Sequence, residues 1–102
     1  MLEVTSKSFD AEVIKSSQIV MVDFHAAWCG PCKRLATVLN ELETDNPDLK
    51  IVKVDIDNNP AVAGKFNISG IPTILIFKNG TPVKTIVGLK GKNDLQKIIE
   101  EI

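Results

Sequence analysis

Two rhythms of apolar residues alternate along the chain. The run "IVMVDFH" (Ile19 to His25) is apolar almost without a break, and "LKIVKVDI" (Leu49 to Ile56) is similar. Short β-branched runs of this kind predict strands buried on both faces. Between them, Leu35, Val38, Leu39 and Leu42 recur at i, i+3, i+4 and i+7, which predicts a helix with one apolar stripe. Pro31 suits the first position of that helix and Asn46-Pro47 ends it. Asn59-Pro60 opens a short helix that ends near Phe66.

Further on, "TILIFKNGTPVKTIVG" reads as a hairpin turning at Asn79-Gly80, the residue pair favoured in type I′ turns. Pro82 cannot donate to a ladder, which assigns the second hairpin strand to a sheet edge. Leu95, Ile98, Ile99 and Ile102 form the inner face of a last helix that Asn93 would cap. Near the start, "LEVT" is a second candidate edge strand, and Ser8 would cap a short helix reaching Lys15. The predicted order is β-α-β-α-β-α-β-β-α. It implies an α/β fold with a central mixed sheet of about five strands and helices on both faces.

Composition narrows the function classes. A chain of 102 residues supports one core, so residues 1–102 are read as a single domain. A net charge of −1, with no run of like charge, removes the electrostatic argument for a nucleic acid or membrane partner. No apolar stretch approaches the roughly 18 residues that cross a bilayer. The amino-terminal residues show neither a basic n-region nor an apolar h-region. The expected location is therefore cytoplasmic, where structural disulfides are rare.

The two cysteines, Cys29 and Cys32, fall where a buried strand runs into the amino end of a helix. Reactive sites in open α/β sheets tend to sit there. Cys32 precedes Leu35 by three residues, so it shares the apolar stripe and should be buried. Cys29 stands before the helix, at an exposed tip where free N–H groups and the dipole stabilise a thiolate. An outer nucleophile and an inner resolving thiol suit thiol–disulfide exchange. Gly30 and Pro31 keep the two within reach while stiffening the turn. The helix charges run against its dipole, with Lys33 and Arg34 first and Glu41, Glu43 and Asp45 last. Holding the Cys29 thiolate would give Lys33 and Arg34 a purpose; a plain solvated face is the alternative. A zinc site would need four ligands. The sequence offers one cysteine pair and a single histidine, His25, so a site completed by a carboxylate is the weaker alternative.

"WCGPC", placed after "VDF" and followed by lysine, closely resembles the thioredoxin family. The likeness spans the whole chain, since "VDIDNNP", "GIPTILIFKNG" and Gly88 occur in the expected order and spacing. It implies a protein-disulfide reductase. In that reading the Cys29 thiolate attacks a substrate disulfide, and Cys32 resolves the mixed disulfide, leaving Cys29 bonded to Cys32. The resemblance further implies no bound cofactor, with electrons arriving from NADPH through a flavin-dependent thioredoxin reductase. Protein disulfides are the expected substrates, and a monomer the expected state.

Asp23 lies in an apolar strand, where a carboxylate is costly to ionise and a raised pKa is expected. Its counterpart in the family is a buried acid that helps deprotonate the inner cysteine. A buried ion pair with Lys53, on the adjacent strand, is the alternative, and such a pair would also tune the acid. By resemblance the Ile71-Pro72 bond is cis and leaves the Ile71 backbone free to pair with an extended substrate segment. Trp28, Gly30, Ile71, Pro72, Val87 and Gly88 would then form an apolar docking surface, with part of the Trp28 ring packed into the core. Two positions depart from the family pattern. His25 replaces an aromatic residue, which could add a pH dependence near neutrality, and Thr37 replaces a helix-kinking proline, which should leave the helix straighter. Two rival readings stay open: a non-catalytic interaction subunit, and a more oxidising exchange protein.

Overall fold

In a computed structural model, which describes all 102 residues, the elements follow in the order anticipated from the sequence. Strands β1 (Leu2–Glu3), β2 (Val20–His25), β3 (Lys50–Asp55), β4 (Thr73–Lys78) and β5 (Thr81–Val87) form one sheet in the order β1-β3-β2-β4-β5. Strands β1, β3 and β2 run parallel, while β4 and β5 run antiparallel to their neighbours, so the sheet is mixed. The helices are α1 (Gly30–Asp45), α2 (Pro60–Lys65) and α3 (Lys92–Glu100).

The hairpin turn has positive φ at both Asn79 (53°) and Gly80 (79°), as a type I′ turn demands. A Cβ on Gly80 would come within 2.7 Å of the Ile14 carbonyl oxygen, so this turn excludes any larger residue. Pro82 lies on the edge strand, and the ladder shifts register between Ile76 and Phe77, which leaves Val83 as the extra residue of a bulge.

Three local readings change. The first helical segment is a single wide turn, Asp10–Ile14, closed by the Lys15 N–H donating to the Asp10 carbonyl at 2.9 Å. Ser8 does not cap it: Phe9 holds the cap position without a side-chain hydrogen bond, and the Thr5 and Ser8 side chains instead each accept from the other's backbone N–H, at 3.3 and 3.0 Å. Gly91, not Asn93, occupies the cap position of α3. In α1, Gly30 takes the first helical position and Pro31 the second. The helix continues without a break through Thr37, as expected where no proline removes a backbone donor.

Strand alternation divides the core. Val20, Val22 and Phe24 face one side of β2, packing with Val52, Val54, Leu75 and Phe77. There the rings of Phe9, Phe66 and Phe77 meet with centroids 5.4 to 5.7 Å apart. Met21 faces the other side, against Leu35, Leu39 and Leu42 of α1 and Leu95 of α3. The face that Met21 shares continues through Asp23 to His25, and the cysteines lie at that end.

Candidate functional site

The site begins where β2 ends. Cys29 adopts an extended backbone (φ −89°, ψ 109°) as the cap residue of α1. Its sulfur accepts the Cys32 N–H at 3.2 Å, one of the helix-end donors that would otherwise lack a partner. Cys29 and Cys32 are joined in a disulfide with their Cα atoms 5.3 Å apart. Glycine and proline in the first helical turn allow this closure without disturbing the helix that follows.

The expected difference in exposure between the cysteines does not hold in this bonded state. Cys29 is 5% exposed and Cys32 3%, both packed among Ala26, Ile56 and Ile71. The sequence places Cys29 at a helix tip correctly, but Ile71 and Ile56 arrive from distant loops and cover it. Lys33 and Arg34 are exposed and unpaired in the first turn of α1. At the far end, charge against the dipole is offset from outside the helix. The Lys92 ammonium pairs with Asp45, and the amino terminus of Met1 lies 3.4 Å from Glu43.

Beneath Cys32, Asp23 is 1% exposed, and its Oδ1 has no hydrogen-bond partner. Burial pushes its carboxyl from 3.8 up to about 7, with the nearby Lys53 charge holding back part of the rise. Lys53 sits directly beside Asp23 in the β2–β3 register, yet no ion pair joins them. The desolvated carboxyl therefore dominates, and the paired alternative is not formed. An unsatisfied buried polar atom costs about 1–3 kcal/mol, a strain the fold carries here rather than in its apolar half.

On the outer side, Trp28 is 69% exposed, so its ring is largely a surface feature rather than part of the core. Its indole N–H donates to Asp57 Oδ2 at 2.8 Å, which holds the ring in one orientation. Asp57 is itself set by a turn in which Asp55 Oδ1 accepts the N–H groups of Asp57 and Asn58. The acidic, asparagine-rich "DIDNN" signals that turn. Its closeness to Trp28, 29 residues away in sequence, has no sequence signal, and Asp57 was missed for that reason.

The Ile71-Pro72 bond is cis, and the Pro72 carbonyl accepts the Gly88 N–H at 2.9 Å. Gly88 has a φ of 91°, a backbone region that favours glycine. The Ile71 N–H and carbonyl have no partner within the molecule. Val87 (63% exposed) and Leu89 (42%) add apolar surface, Leu89 being an exposed residue the sequence reading did not include. Pro72 is buried and Ile71 half-buried, while Gly30 and Pro31 are exposed. The structure thus brings together, from three separate stretches of chain, a cysteine pair, an apolar rim and an unpaired backbone segment. No cluster of histidine, cysteine and carboxylate side chains is arranged to hold a metal ion.

Comparison with known proteins points the same way. A family model described as Thioredoxin matches residues 1–101. The chain is 46% identical over 102 residues to the thioredoxin of Bacillus subtilis (strain 168), covering 99% of this chain and 96% of that protein. It is equally 46% identical to the thioredoxin of Mycobacterium tuberculosis (strain ATCC 25618 / H37Rv), over 99% of this chain and 88% of the relative. A bifunctional thioredoxin reductase/thioredoxin of Mycobacterium leprae (strain TN) is 45% identical over 99% of this chain and 22% of its own length.

Proposed function

The chain belongs to the thioredoxin family and is a protein-disulfide reductase, and on that premise we propose that Cys29 is the attacking thiol and Cys32 the resolving one. In the reduced state the Cys29 thiolate lies at the head of α1, where helix-end N–H groups and the positive dipole end lower its pKa. It attacks one sulfur of a substrate disulfide. That bond breaks, a Cys29–substrate disulfide forms, and the first substrate sulfur leaves as a thiolate that takes up a proton. Cys32 then loses its proton to Asp23 and attacks the Cys29 sulfur. The second substrate thiolate leaves, and two electrons have passed from the dithiol to the substrate.

Asp23 suits the proton step because a carboxyl with a pKa of about 7 can both accept and release a proton at neutral pH. Lys53 tunes it by charge alone. Gly30 and Pro31 set the reach between the sulfurs. Trp28, Ile71, Pro72, Val87 and Gly88 form the docking surface, and the unpaired Ile71 backbone groups receive an extended substrate segment in the manner of an added strand. Rephasing the cycle requires a donor. We assign it to a flavin-dependent thioredoxin reductase carrying electrons from NADPH, a pairing supported by the fusion of both activities in the Mycobacterium leprae relative. Residues 1–102 act as one domain and as a monomer in the cytoplasm, with protein disulfides as substrates and no nucleic acid or membrane partner. No helix is long and apolar enough to cross a membrane.

The observation that carries this reading is a cysteine pair at disulfide distance, heading a helix directly above a desolvated acid. The test is NADPH consumption coupled through a thioredoxin reductase to reduction of a disulfide-bonded protein. Wild-type protein should turn over, Cys29→Ser should not, and Cys32→Ser should accumulate a mixed disulfide with the substrate. Turnover that persists in Cys29→Ser, or a Cys32→Ser variant that traps nothing, would reverse or remove the assigned roles.

A further inference from the structure

With Asp23 as proton acceptor, a second unpaired group stands beside it. Asp23 Oδ1 and His25 Nε2 are the two buried side-chain polar atoms of the molecule that find no partner. Both residues line the same cavity of about 220 Å³, together with Cys32, Lys33 and Lys53. The coincidence has a structural cause. Residues two apart on a strand share a face, so Asp23 and His25 project from β2 to the same side. The space opens to the surface beside Ala27 and Lys33 and has room for a short chain of waters.

We propose that water in this cavity bridges Asp23 Oδ1 to His25 Nε2, and that His25 passes the Asp23 proton between the cavity and solvent in each cycle. The proton that Cys32 gives to Asp23 moves through water to Nε2, and the ring releases its Nδ1 proton outward. One proton enters the ring as one leaves, and no electrons move. Nε2 is sealed from solvent, whereas the residue as a whole is half-buried, so the ring spans from cavity to surface. The raised carboxyl of Asp23 supports the scheme, since an acid near neutrality gains most from a fast route.

The charged groups around His25 come from three elements. Asp23 lies on its own strand, Lys53 and Asp55 face it from β3, and Lys33 from α1. Asp55 Oδ1 is occupied by two backbone N–H groups, which leaves Asp23 as the carboxylate without a partner. His25 acts through Asp23 rather than on the sulfurs, so this role rests on the proton step assigned to Asp23.

Resolution by Cys32 over successive turnovers, followed through the fluorescence of Trp28, tests both. It is measured from about pH 5 to 8, which brackets the Asp23 carboxyl, in wild type, Asp23→Asn, His25→Phe and His25→Ala. The last two should slow resolution on the order of tenfold near neutrality and alter its pH profile. Free imidazole should restore His25→Ala but not Asp23→Asn. If Asp23→Asn slows resolution while both His25 variants keep the wild-type rate and profile, the relay is wrong and the Asp23 step stands. If Asp23→Asn has no effect, the Asp23 step falls and the relay with it. A slowed His25→Ala with a wild-type profile and no response to imidazole would mark a packing role and overturn the relay.

Discussion

The two faces of β2 are built from alternate residues of one short strand, and they behave differently. Val20, Val22 and Phe24 project into a face that is apolar along its length and closed by the cluster of Phe9, Phe66 and Phe77. Met21, Asp23 and His25 project into the other, which begins as core against α1 and α3 and ends with two unpaired polar atoms. The first face contributes stability along its whole length. The second gives up part of its share at one end to place a desolvated acid under a cysteine pair. Redox chemistry and folding stability are thus separated across the thickness of one sheet, where the pleat isolates them.

Substitutions can break or sharpen that separation. The largest effect belongs to the cysteine end: Cys29→Ser should lower disulfide reduction by at least about a thousandfold in the coupled assay, with an unchanged chemical-denaturation midpoint under reducing conditions. Phe24→Ala, on the apolar face, should do the reverse. It should cost about 3–5 kcal/mol of unfolding free energy in urea titrations, while the protein that remains folded exchanges disulfides at the wild-type rate. A large loss of exchange rate in folded Phe24→Ala would show that the faces are coupled.

Asp23→Asn should move both properties in opposite directions. The folded carboxyl has its pKa raised from 3.8 to about 7, so the native state binds more protons than the unfolded state between these values. Wild-type stability therefore falls as pH rises through that window, by up to about 4 kcal/mol in total. Asparagine cannot ionise. The variant should gain stability over wild type above about pH 7 and lose that advantage below about pH 4, read from denaturation midpoints across pH, while Cys32 resolution slows. A flat difference across pH would show that burial leaves the Asp23 pKa at its unfolded value. The smallest effect concerns Lys33 and Arg34. Replacing both with glutamine should raise the Cys29 thiol pKa by at most about 1.5 units, measured by thiolate absorbance, because exposed charges in a first turn are each worth about 0.3–1 kcal/mol and one unit is about 1.4 kcal/mol. No change would return both residues to a plain solvated face.

Much of this molecule is legible in one dimension because its signals are local. β-Branched runs, a 3.6-residue stripe, and asparagine-glycine at a turn each depend on neighbours a few residues away, and the order of elements follows from them. The chemistry of the cysteine pair is similarly local, since a cap position, a spacer and a helix dipole lie within one turn. Caps were less legible. At Ser8 and Asn93 a suitable residue was present, but Phe9 and Gly91 occupy the cap positions.

The sequence by itself determined the strands, the helices, the placement of Cys29 and Cys32 at a helix head, and the acid in an apolar strand. Tertiary structure alone decided what surrounds them. It covered Cys29 with Ile56 and Ile71, held Trp28 outward on Asp57, and left Asp23 beside Lys53 without an ion pair. It also joined Asp23 and His25 to one cavity. These are contacts between residues far apart in sequence, or distances of an ångström or two between neighbouring strands. Local pattern is blind to both, because burial and hydrogen bonding depend on what the rest of the chain brings to the same place.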